Sequence, residues 1–585
     1  MEDTRKIALI DKSIGSDGSH FDVACVVHAF YSGQYIYENE TWYMFSAEDH
    51  RWLIQRKQKE YTLRLALSEE ICCAFMQRSK YWGLKATDTN DEDERKTNEN
   101  KQNTLMKIAK QLKMAGYKDS VLKECTCKFA WNGHTPFLQT LDEKPHLICF
   151  KNGVYDLKAK EFRDGRYEDF ISLSTNIDYV PIEKCDPKHI EEINEYFAKV
   201  FMRADTRSFV FDLMALMIDT SIKLERLFLF NGSGSNSKSK LLELLGLILG
   251  DYYTAVPVAL LTQKRASSNA ASSEIVRLRG RRLAVMSEPN IDDEINLGLM
   301  KELTGNDRIQ ARGLYQEPIE FTPQCRWCLL SNELPRINGT DGGTWRRIKN
   351  IEFKSKFVDN PTKANEFPID ITINQKFAVW STTLMSMIVE HHNTTDLLNI
   401  IEPIDVQEGT EHYRRLSDSI GTFMSDRVVK SESAKCLKIS PVYSDFKPYF
   451  KRNFPNEKRM PEQKTVKARL ERDFGIYDER KGWSGIRIKL FREDAEDTDE
   501  AQEFNDGERD KQFEFMKQCI VADKGCITTD ELTTFKEHHL PSIDIFEVKR
   551  YITDVLKGSE SNKLKRDFGK DKSLGYKGVT MTVRM

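Results

Sequence analysis

With 585 residues the chain has room for roughly three to five domains. Its 88 lysines and arginines nearly balance 91 aspartates and glutamates, so any nucleic-acid surface must be local rather than global. Twelve cysteines follow no disulfide framework, no zinc-site spacing is evident, and no apolar run reaches about 18 residues; a stapled secreted module and a helical membrane protein are excluded, and a soluble chain in a reducing compartment is expected.

From Met1 to about Asp186 the sequence is mixed and aromatic-rich. Trp42 and Trp52 bracket YMFSAEDHR, which predicts two short strands around a turn, followed by a helix from about Lys59 to Gln77. Asp88 to Gln102 is polar with both charge signs and is expected to be helix surface or exposed loop. Cys149 to Phe162 alternates around Asn152-Gly153 and predicts a hairpin. Next, HIEEINEYFAKVF and SFVFDLMALMID, between Pro187 and about Ile222, predict two amphipathic helices.

Leu227 to Phe230 reads as a short buried strand and Leu241 to Leu249 as an apolar helix. Between them lie Gly232, Ser233, Gly234, Ser235, Asn236, Ser237, Lys238, Ser239 and Lys240. These fit the phosphate-cradling pattern G-x-x-x-x-G-K-[ST] at every defining place but one: Ser237 stands where the second glycine is expected. Backbone N–H groups and the helix N-terminus would face phosphates, Lys238 would reach the β/γ-phosphates, and the Ser239 hydroxyl would bind Mg²⁺. A plain Gly/Ser turn before a basic helix start is the alternative, and the strand and helix on either side weigh against it.

Thr254 to Gln263 predicts a strand and loop, and Lys264 to Ser273 a loop. Arg277, Arg279, Arg281 and Arg282 precede LAVMSEPN, a strand ending in Glu288. A P-loop enzyme needs a carboxylate at the tip of an adjacent strand, to hold Mg²⁺ through water or to polarise the attacking water, and Glu288 suits that role. A third run, CRWCLLSNELP, ends in Ser331 and Asn332, where a polar side chain can sense the γ-phosphate; Cys325 and Cys328 within it read as core residues. Lys301 to Pro323 predicts a β-hairpin carrying Arg308 and Arg312 towards its tip. GGTWRRIKNIEF then places Arg346 and Arg347 between a Gly-rich loop and a strand, where a ring ATPase presents an arginine to its neighbour's γ-phosphate.

Taken in order, GSGSNSKS, RLAVMSE, KELTGNDRIQARGLY, CLLSN and GTWRRI resemble the motifs of superfamily 3 helicases, which are AAA+ relatives. They are most similar to the helicase part of the primase–helicases of poxviruses and other large DNA viruses, and of certain phages and plasmids. NGVYDL and the region before the core resemble that family's N-terminal helicase-associated domain, so the likeness covers roughly Trp42 to Phe353. It implies a hexameric ring that hydrolyses ATP with Mg²⁺ and moves along single-stranded or forked DNA through a central pore. Carried over by residue, Lys238 and Ser239 would bind phosphate and Mg²⁺, Glu288 would be the catalytic acid and a metal ligand, and Asn332 the sensor. Arg346 or Arg347 would be the finger supplied in trans, with Arg347 slightly favoured. Lys301 to Tyr315 would face the pore, with Lys301, Arg308, Arg312 and Tyr315 against DNA. Primase and polymerase partners, and a viral replication factory in the host cytoplasm or the nucleus, follow from the same resemblance. Two departures stand out: Ser237, which is expected to weaken or slow nucleotide binding, and a single acid at Glu288, which leaves Mg²⁺ leaning on Ser239 and water.

Gln375 to Glu390 predicts a helix closing the core. Beyond about Glu411, SPVYSDFKPYFKRNF and EQKTVKARLERDFGI predict two helices, and GWSGIRIKLF a hairpin, the outline of a winged helix. Lys464, Lys467, Arg469 and Arg472 on the second helix form either a phosphate-tracking stripe or a solvated face. REDAEDTDEAQEFNDGERD reads as a linker, and Lys511 to Met585 as a small module with helices, a basic loop near Lys563 to Lys572 and a terminal strand. The expected architecture is therefore α/β: an α+β collar (1–186), an AAA+-type P-loop ATPase core with its helical subdomain (187–355), a helical closure (356–420), a winged-helix-like module (421–491), an acidic linker (492–510) and a C-terminal module (511–585).

The expected activity is that of an ATP-dependent DNA helicase for viral-type genome replication. A ring ATPase that remodels or packages another substrate, and a scaffold that binds nucleotide without hydrolysing it, are the alternatives. Neither a paired-carboxylate site nor a zinc knuckle for primase chemistry is evident, so the chain is expected either to be a fragment that begins after such a domain or to work with a separate primase.

Overall fold

The computed structural model describes residues 2–55, 61–263, 272–289, 293–305, 307–313, 318–337, 342–431, 436–454, 460–489, 514–517, 519–540, 545–552, 559–561 and 575–581. The expected acidic linker, the basic loop at 563–572 and Tyr315 lie outside these residues. The chain divides into two compact units, Met1–Thr422 and Phe423–Met585.

The first unit begins with two helices that the sequence reading did not anticipate, Glu2–Ile14 and His20–Tyr31. Strands Tyr35–Glu38 (β1), Thr41–Ser46 (β2) and Arg51–Gln55 (β3) pair antiparallel, one strand more than expected around Trp42 and Trp52. The helix predicted to end at Gln77 continues: Tyr61–Ala66 passes through a π turn, Leu67–Ile71, into Cys72–Asp88. The polar run after it opens helix Glu92–Gln111, whose Asp91 carboxylate accepts from the Asp93 and Glu94 amides, with three acids in the first turn complementing the helix dipole. Val23, Val27, Leu67, Phe75, Leu105 and Ile108 close the core of this region. Leu147–Phe150 (β4), Gly153–Asp156 (β5) and Glu161–Arg163 (β6) extend the expected hairpin to three strands.

Helices Pro187–Val200 and Ala204–Ile218 lead into the central sheet. Along the chain follow Leu227–Asn231 (β7), Tyr253–Ala255 (β8), Leu283–Ser287 (β9), the antiparallel hairpin Ile309–Arg312 (β10) with Pro318–Phe321 (β11), Arg326–Ser331 (β12) and Ile348–Glu352 (β13). The five strands outside the hairpin form one all-parallel sheet, ordered β13-β7-β12-β9-β8. Thr254–Gln263, expected as strand and loop, contributes only the short β8 and then turns helical at Ala259–Thr262, after Pro257 interrupts the strand.

Both faces of the sheet are covered, which is why its strands read as unbroken apolar runs. Phe228, Phe230, Leu283, Val285, Cys328 and Leu330 point to one side, against helices 187–200, 204–218, 238–249 and Ile373–Thr394. Leu227, Leu229, Ala284, Met286, Trp327 and Leu329 point to the other, against helix Leu297–Thr304 and the hairpin. Each such side chain removed from water contributes about 1.5–3 kcal/mol, so the register of these strands is strongly held.

The second unit holds helices Ile439–Asn453 and Gln463–Phe474 around Phe423, Phe446, Val466, Leu470 and Trp483. The hairpin expected from GWSGIRIKLF is not a self-paired one. Ile486–Ile488 pairs antiparallel with Val428–Lys430, ahead of both helices. Alternation marks a half-buried strand but not its partner. Nor do the helix's cations form an open stripe: Lys467 meets Glu479 at 2.5 Å, and Arg469 and Arg472 meet Asp473 at 3.2 and 3.1 Å. Toward the C-terminus, Ile520–Thr528, Gly575–Met581 and Ser559–Ser561 make a small sheet beside helices Thr529–His539 and Ile545–Arg550. Among the described residues no helix is long and apolar enough to cross a membrane.

Candidate functional site

At the carboxyl end of β7 the chain enters a loop that only particular residues can build. A Cβ at Gly232 would lie 2.2 Å from the Asn236 amide nitrogen and 2.8 Å from the Phe353 carbonyl oxygen, so no side chain fits there. Gly234, Ser235 and Ser237 follow in the left-handed region, at φ +88°, +50° and +69°. Buried Asn236 donates through Nδ2 to the Phe353 carbonyl at 3.4 Å, and the Phe357 amide donates to the Ser235 carbonyl at 2.7 Å. The loop is thereby pinned to the segment that leaves β13. Helix Lys238–Leu249 starts directly after it, and its first amides have no partner within the helix.

Lys238 is 5% exposed, yet no carboxylate is among its hydrogen-bond partners. Its Nζ donates to the Gly232 carbonyl and, at 3.1 Å, to Asn332 Oδ1. Burial pushes the pKa of this ammonium down. It borders a polar cavity of about 270 Å³ lined by Gly234 through Lys240, Glu288 and Asn332. The sheet order explains this convergence: β12, directly followed by Asn332, lies between β7 and β9, and β9 is directly followed by Glu288. Glu288 is left-handed at φ +52°, with its amide donating to the Leu330 carbonyl at 3.0 Å. A non-glycine residue held there costs about 1–2 kcal/mol, a strain that clusters at functional sites. Ser239 is exposed at the cavity, and Lys240 Nζ is bound to Glu243 and Asn374, each at 2.7 Å.

A second cavity, about 300 Å³, shares Ser235, Ser237 and Lys240 with the first. Its other walls combine apolar side chains, Tyr196, Phe357, Ile369, Ile373 and Trp380, with the charged Glu192, Glu195 and Lys199 and the Lys376–Asp370 ion pair at 2.7 Å. The two cavities together form a polar chamber next to an aromatic one.

The remaining candidates lie elsewhere. Arg346 and Arg347 precede β13, at the amino edge of the sheet and about 16 Å along the strands from the loop. Both meet Glu225, at 2.8 and 2.7 Å, but Arg347 is only 11% exposed and also donates to the Gly343 carbonyl, whereas the Arg346 side chain is 61% exposed. Lys301 sits on helix Leu297–Thr304; Arg312, opposite Pro318, is exposed at the turn end of the hairpin as expected, whereas Arg308 is exposed just before Ile309, at the open end, because Ile309 pairs with Phe321.

Three residues near the sheet have no role assigned by the sequence alone. Arg282 is 2% exposed and donates to the carbonyls of Pro145 and Leu147, at 2.6 and 2.5 Å, and of Ile218. Arg326, 3% exposed, donates to those of Leu216, Asp219 and Ile222, at 2.9, 3.2 and 2.6 Å. Together they satisfy the C-terminal carbonyls of helix 204–218, where the dipole favours a cation. The available signal was an arginine at the same place in two strands, directly before LAVMS and WCLLS. Tyr196, in the helical run before the core, carried no signal beyond burial.

Sequence comparisons bear on this site. Residues 26–202 match the family described as D5 N terminal like, and residues 230–347 match a family of unknown function, DUF5906. A protein of Acanthamoeba polyphaga mimivirus named "Putative helicase" is 34% identical over 480 residues, 79% of this chain and 49% of that protein. The chain thus resembles proteins named putative helicase in large DNA viruses. A "Putative helicase" of Frog virus 3 is 27% identical over 65% of this chain and 46% of its own length, and a "Putative primase" of African swine fever virus 25% identical over 61% and 38%. The chain thus spans about half or less of the length of the curated proteins it matches. Among solved structures, the C-terminal region of NrS-1 aligns with 69% of this chain and 79% of its own, at 12% identity and a TM-score of 0.29, too low to bear on the fold.

Proposed function

We propose that the chain is an ATP-hydrolysing motor of the AAA+ superfamily 3 type that translocates on DNA during viral-type genome replication, as a homohexameric ring. The observation that carries this reading is Lys238: a buried ammonium without a carboxylate partner among the described residues, held by two neutral oxygens at a cavity that Glu288 also lines. A buried cation without a counter-ion is costly unless an anion arrives, and helix amides beside it favour a phosphate.

The donor set fits a magnesium nucleotide: loop amides and Lys238 for phosphate oxygens, the exposed Ser239 hydroxyl and Glu288 for the cation. Magnesium bound there would neutralise charge on the β- and γ-phosphates. Lys238 would exchange its bonds to Gly232 and Asn332 for phosphate oxygens, which frees Asn332 to orient the attacking water. Glu288 would polarise that water. The nucleoside base would lie in the aromatic chamber, beside Phe357 and Trp380. Arg346 is the better finger: its exposure and its distance from the loop of its own chain suit delivery to a neighbouring subunit, whereas Arg347 is held in its own fold. Exposed Arg308 and Arg312, with Lys301, would contact backbone phosphates, which carry no sequence information.

The decisive measurement is the ATPase rate of the purified chain with and without single-stranded DNA, beside Lys238→Ala. DNA-stimulated turnover that vanishes in the variant supports the motor. Turnover indifferent to DNA favours remodelling of another substrate, and binding without turnover favours the scaffold. For the finger, mixing Lys238→Ala with Arg346→Ala chains should restore partial turnover, because one of the two kinds of mixed interface combines an intact loop with an intact arginine.

A further inference from the structure

The residue that departs from the P-loop pattern has surroundings of its own. Ser237 sits at φ +69°, ψ 7°, where a Cβ crowds the next carbonyl and glycine is the ordinary occupant. A serine preceding a helix usually caps it, its hydroxyl accepting from an amide two or three residues on. Ser237 makes no such bond. Its Oγ lies instead 3.0 Å from the hydroxyl of Tyr196. Tyr196 is fixed on helix 187–200: it is 6% exposed, with its ring edge-on to Phe197 and Phe377 at 5.5 Å each. Packing therefore sets where the phenol oxygen sits, and a buried hydroxyl without a partner would be costly.

We propose that Tyr196 latches Ser237 in the left-handed conformation and so acts as a positioning residue for the phosphate cradle. The latch holds a serine where glycine would rest unaided. It also draws the hydroxyl away from the helix N-terminus, so the amides there stay available to phosphate oxygens rather than being capped from within. Because Tyr196 also walls the aromatic chamber, one side chain joins that chamber to the loop. The inference rests on reading this loop as a nucleotide cradle.

Tyr196→Phe keeps the ring and removes the bond, and Ser237→Gly removes the need for it. Two quantities decide: amide hydrogen exchange across residues 232–240 in the nucleotide-free chain, and KM and kcat for magnesium ATP. Tyr196→Phe alone should speed exchange in the loop and raise KM roughly 2- to 12-fold, the range of one hydrogen bond, with kcat moving less. In the Ser237→Gly background the same change should alter neither. Equal effects in both backgrounds, or unchanged exchange in Tyr196→Phe, would overturn the latch. Ser237→Ala breaks the bond from the loop side without touching the helical core; it should reproduce Tyr196→Phe, and a failure to do so also counts against the latch. A chain that binds no nucleotide at all would sink the nucleotide reading, while exchange in the nucleotide-free protein would still decide the latch.

Discussion

The two edges of the central sheet each bury cations, and they treat them in opposite ways. At the amino edge, Arg282 and Arg326 are nearly inaccessible and surrounded by carbonyls, six in all between them. At the carboxyl edge, Lys238 is almost as buried but has two neutral acceptors and an open polar cavity. Burial pushes the pKa of all three down, that of Arg326 to about 10. The contrast teaches that burial alone does not mark a functional cation. A cation held by three backbone carbonyls serves the scaffold, whereas one with two neutral acceptors that borders a polar cavity has room for a further partner.

This contrast breaks most easily at Arg326. Arg326→Ala leaves three buried carbonyls without donors and should lower unfolding free energy by roughly 3–5 kcal/mol in urea titration. A loss under about 1 kcal/mol would mean that water or neighbours replace the arginine. Lys238→Ala should do the reverse: turnover falls roughly 10²–10³-fold while stability holds or rises, since a desolvated ammonium is removed. If Lys238→Ala unfolds the chain as Arg326→Ala does, the distinction between scaffold and site is wrong.

The amino edge also carries a pH dependence. Burial alone would raise the Asp219 carboxyl, but hydrogen bonds from His392 and Ser221 outweigh it and hold the pKa at about 2, below the ordinary 3.8. The unfolded chain therefore binds this proton more readily. The resulting stability, about 2 kcal/mol, is present above pH 3.8 and lost as pH falls through about 2, roughly half of it by pH 3. Comparing unfolding at pH 5 and pH 3 should show a smaller drop for Asp219→Asn than for the natural chain; equal drops would assign the acid sensitivity elsewhere.

The smallest effects sharpen the comparison on the surface. Arg308→Ala should weaken single-stranded DNA binding and reduce the salt slope by roughly one. Lys467→Ala, which loses the ion pair with Glu479 and the contact with the Tyr477 ring at 4.4 Å, should change stability by no more than about 1–2 kcal/mol and leave the slope alone. A slope that responds to Lys467 and not to Arg308 would move the DNA contact to the second unit.

How much of this was legible depended on the range of the interaction. The strands at Leu227, Leu283 and Trp327 were visible because each is buried on both faces and reads as an apolar run. The convergence of Lys238, Glu288 and Asn332 on one cavity was inferable from motif order, since parallel strands bring their carboxyl ends to one edge. The helices at Glu2–Ile14 and His20–Tyr31 were overlooked because the first carries a weakly apolar face and the second is apolar nearly all round. In the second unit, alternation at Ile486 indicated a strand, but its pairing with Val428 is a long-range choice that local pattern cannot express.

By itself, then, the sequence determined the local chemistry: a strand, a small-residue loop, a lysine and a serine at the start of a helix, an acid and an amide at two later strand ends. These are contiguous features with fixed spacing, and backbone geometry dictates them. Only the tertiary structure decided which charges are spent on the fold and which are left bordering a cavity. Arg282, Arg326, Arg347 and Lys238 look alike as letters, and what separates them is how many acceptors the distant chain brings to each.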